Sequence, residues 1–216
     1  MAAALSTTRY DMRAATVGKF TLFAGGLARK SSFGYSVSSS VDAYNTSLTK
    51  STPTELSYKR CGHAAASVGG YALFAGGASS YNLLGIYENL VSAVDAYDAS
   101  LTRSAAHIIG ATVAIGGAAV GNYALFAGGT VYSQINKDNV TSDVLAYDPS
   151  LTFTTAPLLS VARANVKGAS AGNYALFAGG RAGSFCTTVD AYNASLTRTT
   201  ATALSSTNNN SAAATV

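Results

Sequence analysis

Four near-identical stretches recur along this chain of 216 residues: Phe-Thr-Leu-Phe-Ala-Gly-Gly from Phe20, and Tyr-Ala-Leu-Phe-Ala-Gly-Gly from Tyr71, Tyr123 and Tyr174. They lie 51, 52 and 51 residues apart. A second block follows each one: VDAYNTSLT from Val41, VDAYDASLT from Val94, VLAYDPSLT from Val144 and VDAYNASLT from Val189. A third block, Leu-Ser with an Arg, comes first in units one, two and four as Leu5-Ser6 with Arg9, Leu56-Ser57 with Arg60, and Leu159-Ser160 with Arg163. Unit three carries Ile108 and Thr112 at the matching places. Self-similarity of this period means one supersecondary unit written four times, each burying its apolar faces against its neighbours. The units run 5–55, 56–107, 108–158 and 159–203 within a single domain over 1–216. Residues 204–216 align with Leu5 to Val17, the first strand of a fifth unit.

Each unit reads as four short strands. The first, Ala14-Ala15-Thr16-Val17 in unit one, runs into Gly-Lys, Gly-Gly or Gly-Asn, a hairpin signal. The second places Tyr71, Leu73 and Ala75 on one face and Ala72 and Phe74 on the other, so both faces need cover. The Gly-Gly pair ends it where the backbone must turn or approach another segment closely. The third strand is Val-Asp-Ala-Tyr, and Asn45, Asp98, Asp148 and Asn193 supply the turn after it. Leu-Thr-Arg-Thr-Thr then opens a fourth, and no helical period is sustained anywhere.

About fifty residues, four strands and a double glycine is the form of a propeller blade. Over residues 5 to 203 the chain resembles the kelch-repeat family. The resemblance rests on Gly25-Gly26, Gly76-Gly77, Gly128-Gly129 and Gly179-Gly180, followed by Tyr44, Tyr97, Tyr147 and Tyr192. It departs from the family in having no tryptophan; Leu48, Leu101, Leu151 and Leu196 occupy that neighbourhood. The resemblance implies an all-β fold, a β-propeller of four kelch-like four-stranded blades with a surplus C-terminal strand. The Thr/Ser-rich units also look like kelch-type arrays in phage tail and bacterial surface proteins.

Three arrangements follow from four blades and a remnant. The ring closes on itself with the extra strand displaced, a homodimer shares a larger ring, or the units are part of a longer array. Exposed strand edges are a hazard, so a compact four-bladed arrangement is the expectation.

The composition excludes several functions. Only 11% of residues are charged and the net charge is +4, far from the basic stripe that nucleic acid needs. Cys61 and Cys186 make neither a disulfide framework nor a zinc quartet, and are expected as free thiols. Met1 to Leu5 has no signal-peptide form, and the uncharged stretch His107–Val131 reads as two buried strands joined at Gly121-Asn122. The expectation is cytoplasmic synthesis, with virion association open, and no membrane insertion. His63 and His107 fall at unrelated repeat positions, and no catalytic motif is present, so no cofactor, metal or catalytic residue is expected.

Two sets of residues remain. Arg9, Arg60 and Arg163 recur at one repeat position and Asp42, Asp95 and Asp190 at another. A ring of charge around a channel, holding an anion, competes with a structural Arg–Asp contact stitching neighbouring blades. Unit three loses both charges together, as Thr112 and Leu145, which a paired contact predicts. The repeat tyrosines, at identical strand positions, read as packing. The second set lies between each Gly-Gly and the next Val, where 14, 16, 14 and 8 residues vary freely. In an up-and-down blade this connection shares one face with the blade-to-blade connection. Phe33, Tyr35, Tyr81, Tyr87, Tyr132, Arg181 and Phe185 are therefore the candidate binding residues. The expected partner is a protein; the alternative is a carbohydrate, as in a lectin-like domain of a phage tail or bacterial surface protein.

Overall fold

A strand apolar on both faces must be covered on both, and this chain does so by standing four sheets side by side. The computed structural model describes residues 2–29, 34–106, 110, 112–131 and 139–207. Unit one contains β1 (Arg13–Val17), β2 (Phe20–Ala24), β3 (Leu27–Arg29), β4 (Tyr35–Val37), β5 (Val41–Asn45) and β6 (Lys50–Ser51). Unit two contains β7 (Ala64–Val68), β8 (Tyr71–Ala75), β9 (Ala78–Tyr81), β10 (Tyr87–Leu90), β11 (Val94–Asp98) and β12 (Arg103–Ala106). Unit three has β13 (Gly116–Val120), β14 (Tyr123–Ala127), β15 (Val144–Tyr147) and β16 (Phe153–Thr155). Unit four has β17 (Lys167–Ala171), β18 (Tyr174–Ala178), β19 (Arg181–Ala182), β20 (Ser184–Phe185), β21 (Val189–Asn193) and β22 (Arg198–Ala201). Each unit folds into one four-stranded antiparallel sheet, ordered β1-β2-β5-β6 in the first, with the same order of strands in the others.

The long connections hold structure of their own. β3–β4, β9–β10 and β19–β20 are separate two-stranded hairpins set on the sheets. Among the described residues of unit three a bridge, Thr130 to Val140, takes their place. Their Ser-rich sequences lack the apolar alternation that marks a strand, so sequence reads them as loops.

The sheets pack in one repeating way. The face carrying Leu22, Ala24, Val17 and Val41 lies on Ala72, Phe74 and Tyr97 of the next blade. Leu73 and Ala75 lie likewise on Ala124, Phe126 and Tyr147, and Leu125 and Ala127 on Ala175, Phe177 and Tyr192. Within each blade the Phe and Tyr rings meet edge-on at 5.8 to 6.0 Å, a favoured aromatic geometry. The tyrosine hydroxyl is not wasted in this core. Tyr97 donates to the Thr54 carbonyl, Tyr192 to Pro157 and Tyr44 to Ala3, each two residues before the leucine that opens a unit.

Leu101, Leu151 and Leu196 reach back into the preceding junction, filling part of the space a larger residue would take. Each sits in the left-handed region (φ 65°, 61° and 57°), which is uncommon for a leucine. The preceding Asx residue holds that turn: Asp98 Oδ1 accepts from the amides of Ser100 and Thr102, and Asp148 Oδ1 from Ser150 and Thr152.

The inner strands β1, β7, β13 and β17 stand next to one another in that order and line a central channel. A self-closed ring of four would also pack blade 4 on blade 1. The structure leaves those two faces open, with Tyr174 45% exposed at one end and Leu48 57% exposed at the other. Residues 204–207 carry on past β22 without forming a strand, and the rest of the surplus strand lies outside the described residues.

Candidate functional site

The recurrent charges come together as ion pairs. Arg9 Nη2 lies 2.8 Å from Asp42 Oδ2, Arg60 Nη2 2.6 Å from Asp95 Oδ2, and Arg163 Nη2 2.9 Å from Asp190 Oδ2. All six residues are buried. Each carboxylate also accepts from the backbone amide and hydroxyl of the serine in the Leu-Ser block: Ser6, Ser57 and Ser160. A second cation, at the start of the fourth strand, completes the set: Arg103 at 2.8 Å from Asp95, Arg198 at 2.9 Å from Asp190, and Lys50 at 3.9 Å from Asp42. Burial pushes the Asp190 carboxyl up, but hydrogen bonds from Arg163, Ser160 and Arg198 outweigh it and leave it below the usual range.

Each pair lies within one repeat. What crosses to the preceding blade is the arginine's backbone: the Arg60 carbonyl accepts from the Gly26 amide, and its own amide donates to Ser38. Arg163 does the same with Gly129 and Thr141. Gly25, at φ 65°, makes this approach feasible; a Cβ there would lie 2.6 Å from the Arg60 carbonyl oxygen. In unit three the Thr112 carbonyl keeps the backbone bond to Gly77, while Leu145 and Phe153 replace the charges. The arginines are thus fastened in the walls and do not line the channel, which leaves no role for them as an anion ring.

A different set of side chains gathers on the hairpin side. Tyr10, Tyr35, Tyr81 and Tyr87 form a ladder, with ring centroids 6.0, 5.4 and 5.2 Å apart in succession. Tyr81 and Tyr87 are cross-strand partners on β9 and β10, Tyr35 opens β4, and Tyr10 bridges to Leu27. Tyr10 and Tyr35 are exposed and the other two half-buried. Beyond them, at the tip of the β9–β10 hairpin, Leu83 and Leu84 are 70% and 83% exposed. At the base, Arg13 pairs with Asp11 at 2.9 Å, and Asp11 Oδ2 accepts from the Gly62 amide of the next blade.

Burial, the hydrogen bond to Tyr35 and the nearby Asp11 charge push the Tyr10 phenol up to about 12. Burial chiefly, with Asp11 and neighbouring groups, also raises Tyr81 and Tyr87. All three offer phenol hydroxyls able to donate and accept hydrogen bonds. Burial also pushes the Cys61 thiol up to about 12, so it is an inert core residue.

Of the residues proposed from sequence, Tyr35, Tyr81 and Tyr87 are brought together. Phe33 and Tyr132 lie outside the described residues. Arg181 and Phe185 are exposed cross-strand partners on the short hairpin of blade 4, apart from the tyrosines on blades 1 and 2. Tyr10 was missed because it lies outside every repeated block. Its counterparts Cys61, Val113 and Ala164 share the same bridge and none is aromatic, so divergence at a structurally equivalent position was the available signal. Among the described residues no three His, Cys, Asp or Glu side chains gather as metal ligands.

No family model matches the sequence, and no curated protein matches it. The fold does have likenesses among solved structures. It is similar to the solved structure of YjhT, a kelch-repeat propeller protein, with a TM-score of 0.71. The likeness covers 92% of this chain and 72% of that one at 15% identity. The fold is a kelch-type propeller. The resemblance carried by the double glycines and the tyrosines is therefore a resemblance of architecture, and at this identity it speaks for the fold alone. In this propeller the family's tryptophan is absent, and back-reaching leucines fill the junctions with less volume.

Proposed function

We propose that this propeller is a non-catalytic recognition module that binds a protein through its hairpin face, with the tyrosine ladder as its anchor. The supporting observation is the ladder itself: four rings in unbroken contact across two blades, beside an exposed leucine pair. Tyrosines give large, stiff contact area with a polar tip, and such residues dominate protein interfaces. Exposed Leu83 and Leu84 favour a protein over a glycan, because a sugar offers little apolar surface to cover them. The hairpins stand on a rigid stack of sheets, which positions them with little ordering cost on binding.

The experiment is selection from a displayed random-peptide library in parallel with a glycan array. Peptides that bind wild type and lose at least tenfold in affinity on Tyr81→Ala, with the melting temperature retained, support the reading. Glycan binding that responds to Tyr81→Ala makes it a lectin. Binding indifferent to Tyr35→Ala and Tyr81→Ala removes the ladder as the site.

A further inference from the structure

The two ends of the blade stack are halves of the same interface that joins its middle. At each internal junction the Leu face of one blade covers the Phe face of the next, and a glycine turn adds a contact. A Cβ at Gly18 would lie 3.1 Å from Ala99 Cβ, one at Gly69 2.8 Å from Pro149 Cβ, and one at Gly121 2.8 Å from Ala194 Cβ. A hydroxyl adds a third feature at two junctions. Ser67 Oγ donates to the Thr16 carbonyl and accepts its amide, and Ser170 Oγ treats Ala119 in the same way.

Blade 4 presents the donor half, and among the described residues nothing covers it. Leu176 and Ala178 are half-buried where Leu22, Leu73 and Leu125 are fully enclosed, and a Cβ at Gly172 would meet nothing within 4 Å. Blade 1 presents the acceptor half. Phe23 and Tyr44 are half-buried where Phe74 and Tyr97 are enclosed, and Leu48 stands out where its three counterparts are packed. Thr46 occupies the place of Ala99, Pro149 and Ala194, ready for Gly172, and Thr16 occupies the place of Ser67, ready for the backbone of Ser170.

We infer that blade 4 docks blade 1 of a second copy of this chain, head to tail, through a further instance of the internal blade junction. Such a contact is heterologous: each chain uses one end as donor and the other as acceptor. The chain also carries a competitor for it. Leu204 lies where Leu56 and Leu159 lie, its amide donating to the Thr187 carbonyl as theirs do to Ser39 and Ser142. Yet Leu204 is 37% exposed, against 4% for each of the other two. In the docked pair, Leu5 of the incoming copy takes this place and Leu204 gives way. Leu204 therefore holds association back.

Sedimentation velocity over a hundredfold range of chain concentration tests this, with variants at exposed positions that leave each chain's fold intact. Wild type is expected to associate with rising concentration, and Leu204→Ser at roughly tenfold lower concentration. Leu48→Glu and Tyr174→Glu, each destroying one half, are expected to stay monomeric alone and to form a species of two chains when mixed. Association of Leu204→Ser alone, with wild type monomeric, also supports docking and its competitor. Monomers for both wild type and Leu204→Ser overturn the inference. So does association that survives both glutamate variants, or a mixture that fails to pair.

Discussion

Blades 2 and 3 share one order of strands in their main sheets and fill the same corner with opposite chemistry. In blade 2 a buried carboxylate, Asp95, is held by Arg60, Arg103 and the amide and hydroxyl of Ser57. In blade 3 Thr112, Leu145 and Phe153 stand at the positions of Arg60, Asp95 and Arg103, and Phe153 packs against Tyr147 with centroids 6.2 Å apart. A small cavity of about 40 Å³ borders Thr112, Leu145 and Ile115. The two blades still join their neighbours through the same backbone bonds at the double glycine. The comparison teaches that the backbone clasp is the constant of this fold. The ion cluster is one of two ways to fill the space beneath it, and it holds together as a set. A buried ion pair and a packed apolar group of similar size are often close in stability, whereas half of a pair is costly.

The largest expected effect comes from breaking that set. Asp95→Ala leaves the Arg60 guanidinium buried with only neutral partners, backbone carbonyls and the Ser57 hydroxyl, and should lower stability by about 3–5 kcal/mol in urea unfolding. The triple change Asp95→Leu, Arg60→Thr, Arg103→Phe imports blade 3's corner and should recover most of that loss. A triple variant no more stable than the single one breaks the proposed equivalence.

Acid sensitivity is next. His63 of blade 2 stands where Met12, Ile115 and Val166 stand in the other blades, fully buried and 6.2 Å from the Phe74 ring. Burial first, then the charges of Arg13 and Arg60, hold its pKa well below 6.5. The folded state therefore carries a neutral ring. The stability this protects is fully present above the unfolded value near 6.5 and is lost as the pH falls below it toward the folded pKa. The loss approaches about 1.4 kcal/mol per pH unit. His63→Met should remove this slope; a pH profile that stays parallel to wild type between pH 6.5 and 5 excludes His63 as its source.

The smallest effect should be a gain. Ala119 of blade 3 lacks the hydroxyl that Ser67 and Ser170 use to clasp the preceding blade. Ala119→Ser should stabilise by about 0.5–1 kcal/mol by adding that hydrogen bond. A lower melting temperature would show that the junction between blades 2 and 3 is too tight for it. The closeness of Gly117 makes this a fair test, since a Cβ there would sit 2.4 Å from the Ala65 carbonyl oxygen.

Much of this was legible in the letters because repetition converts packing rules into spacing. The joint loss of charge at Thr112 and Leu145 pointed to a pair, and the ion pairs in the other three units have that geometry. The third partners, Lys50, Arg103 and Arg198, went unread because they follow the turn whose polar residues drew attention to themselves. The tyrosine ladder was half legible: long variable connections marked Tyr35, Tyr81 and Tyr87, but nothing local joins them to Tyr10, which is distant in the chain and meets Tyr35 only through the bridge to Leu27.

The sequence by itself determined four units, four strands in each, which side chains share a face, and which arginine answers which aspartate. These follow from a two-residue strand period and a repeat of about fifty, both local or periodic properties of the chain. Only the tertiary structure decided that the long connections fold back as hairpins, that Tyr10 completes a ladder, and that blades 1 and 4 leave complementary faces open. Those outcomes depend on contacts between segments far apart in the chain, such as Tyr10 with Tyr35 and Tyr35 with Tyr81. No local pattern in the sequence records such contacts.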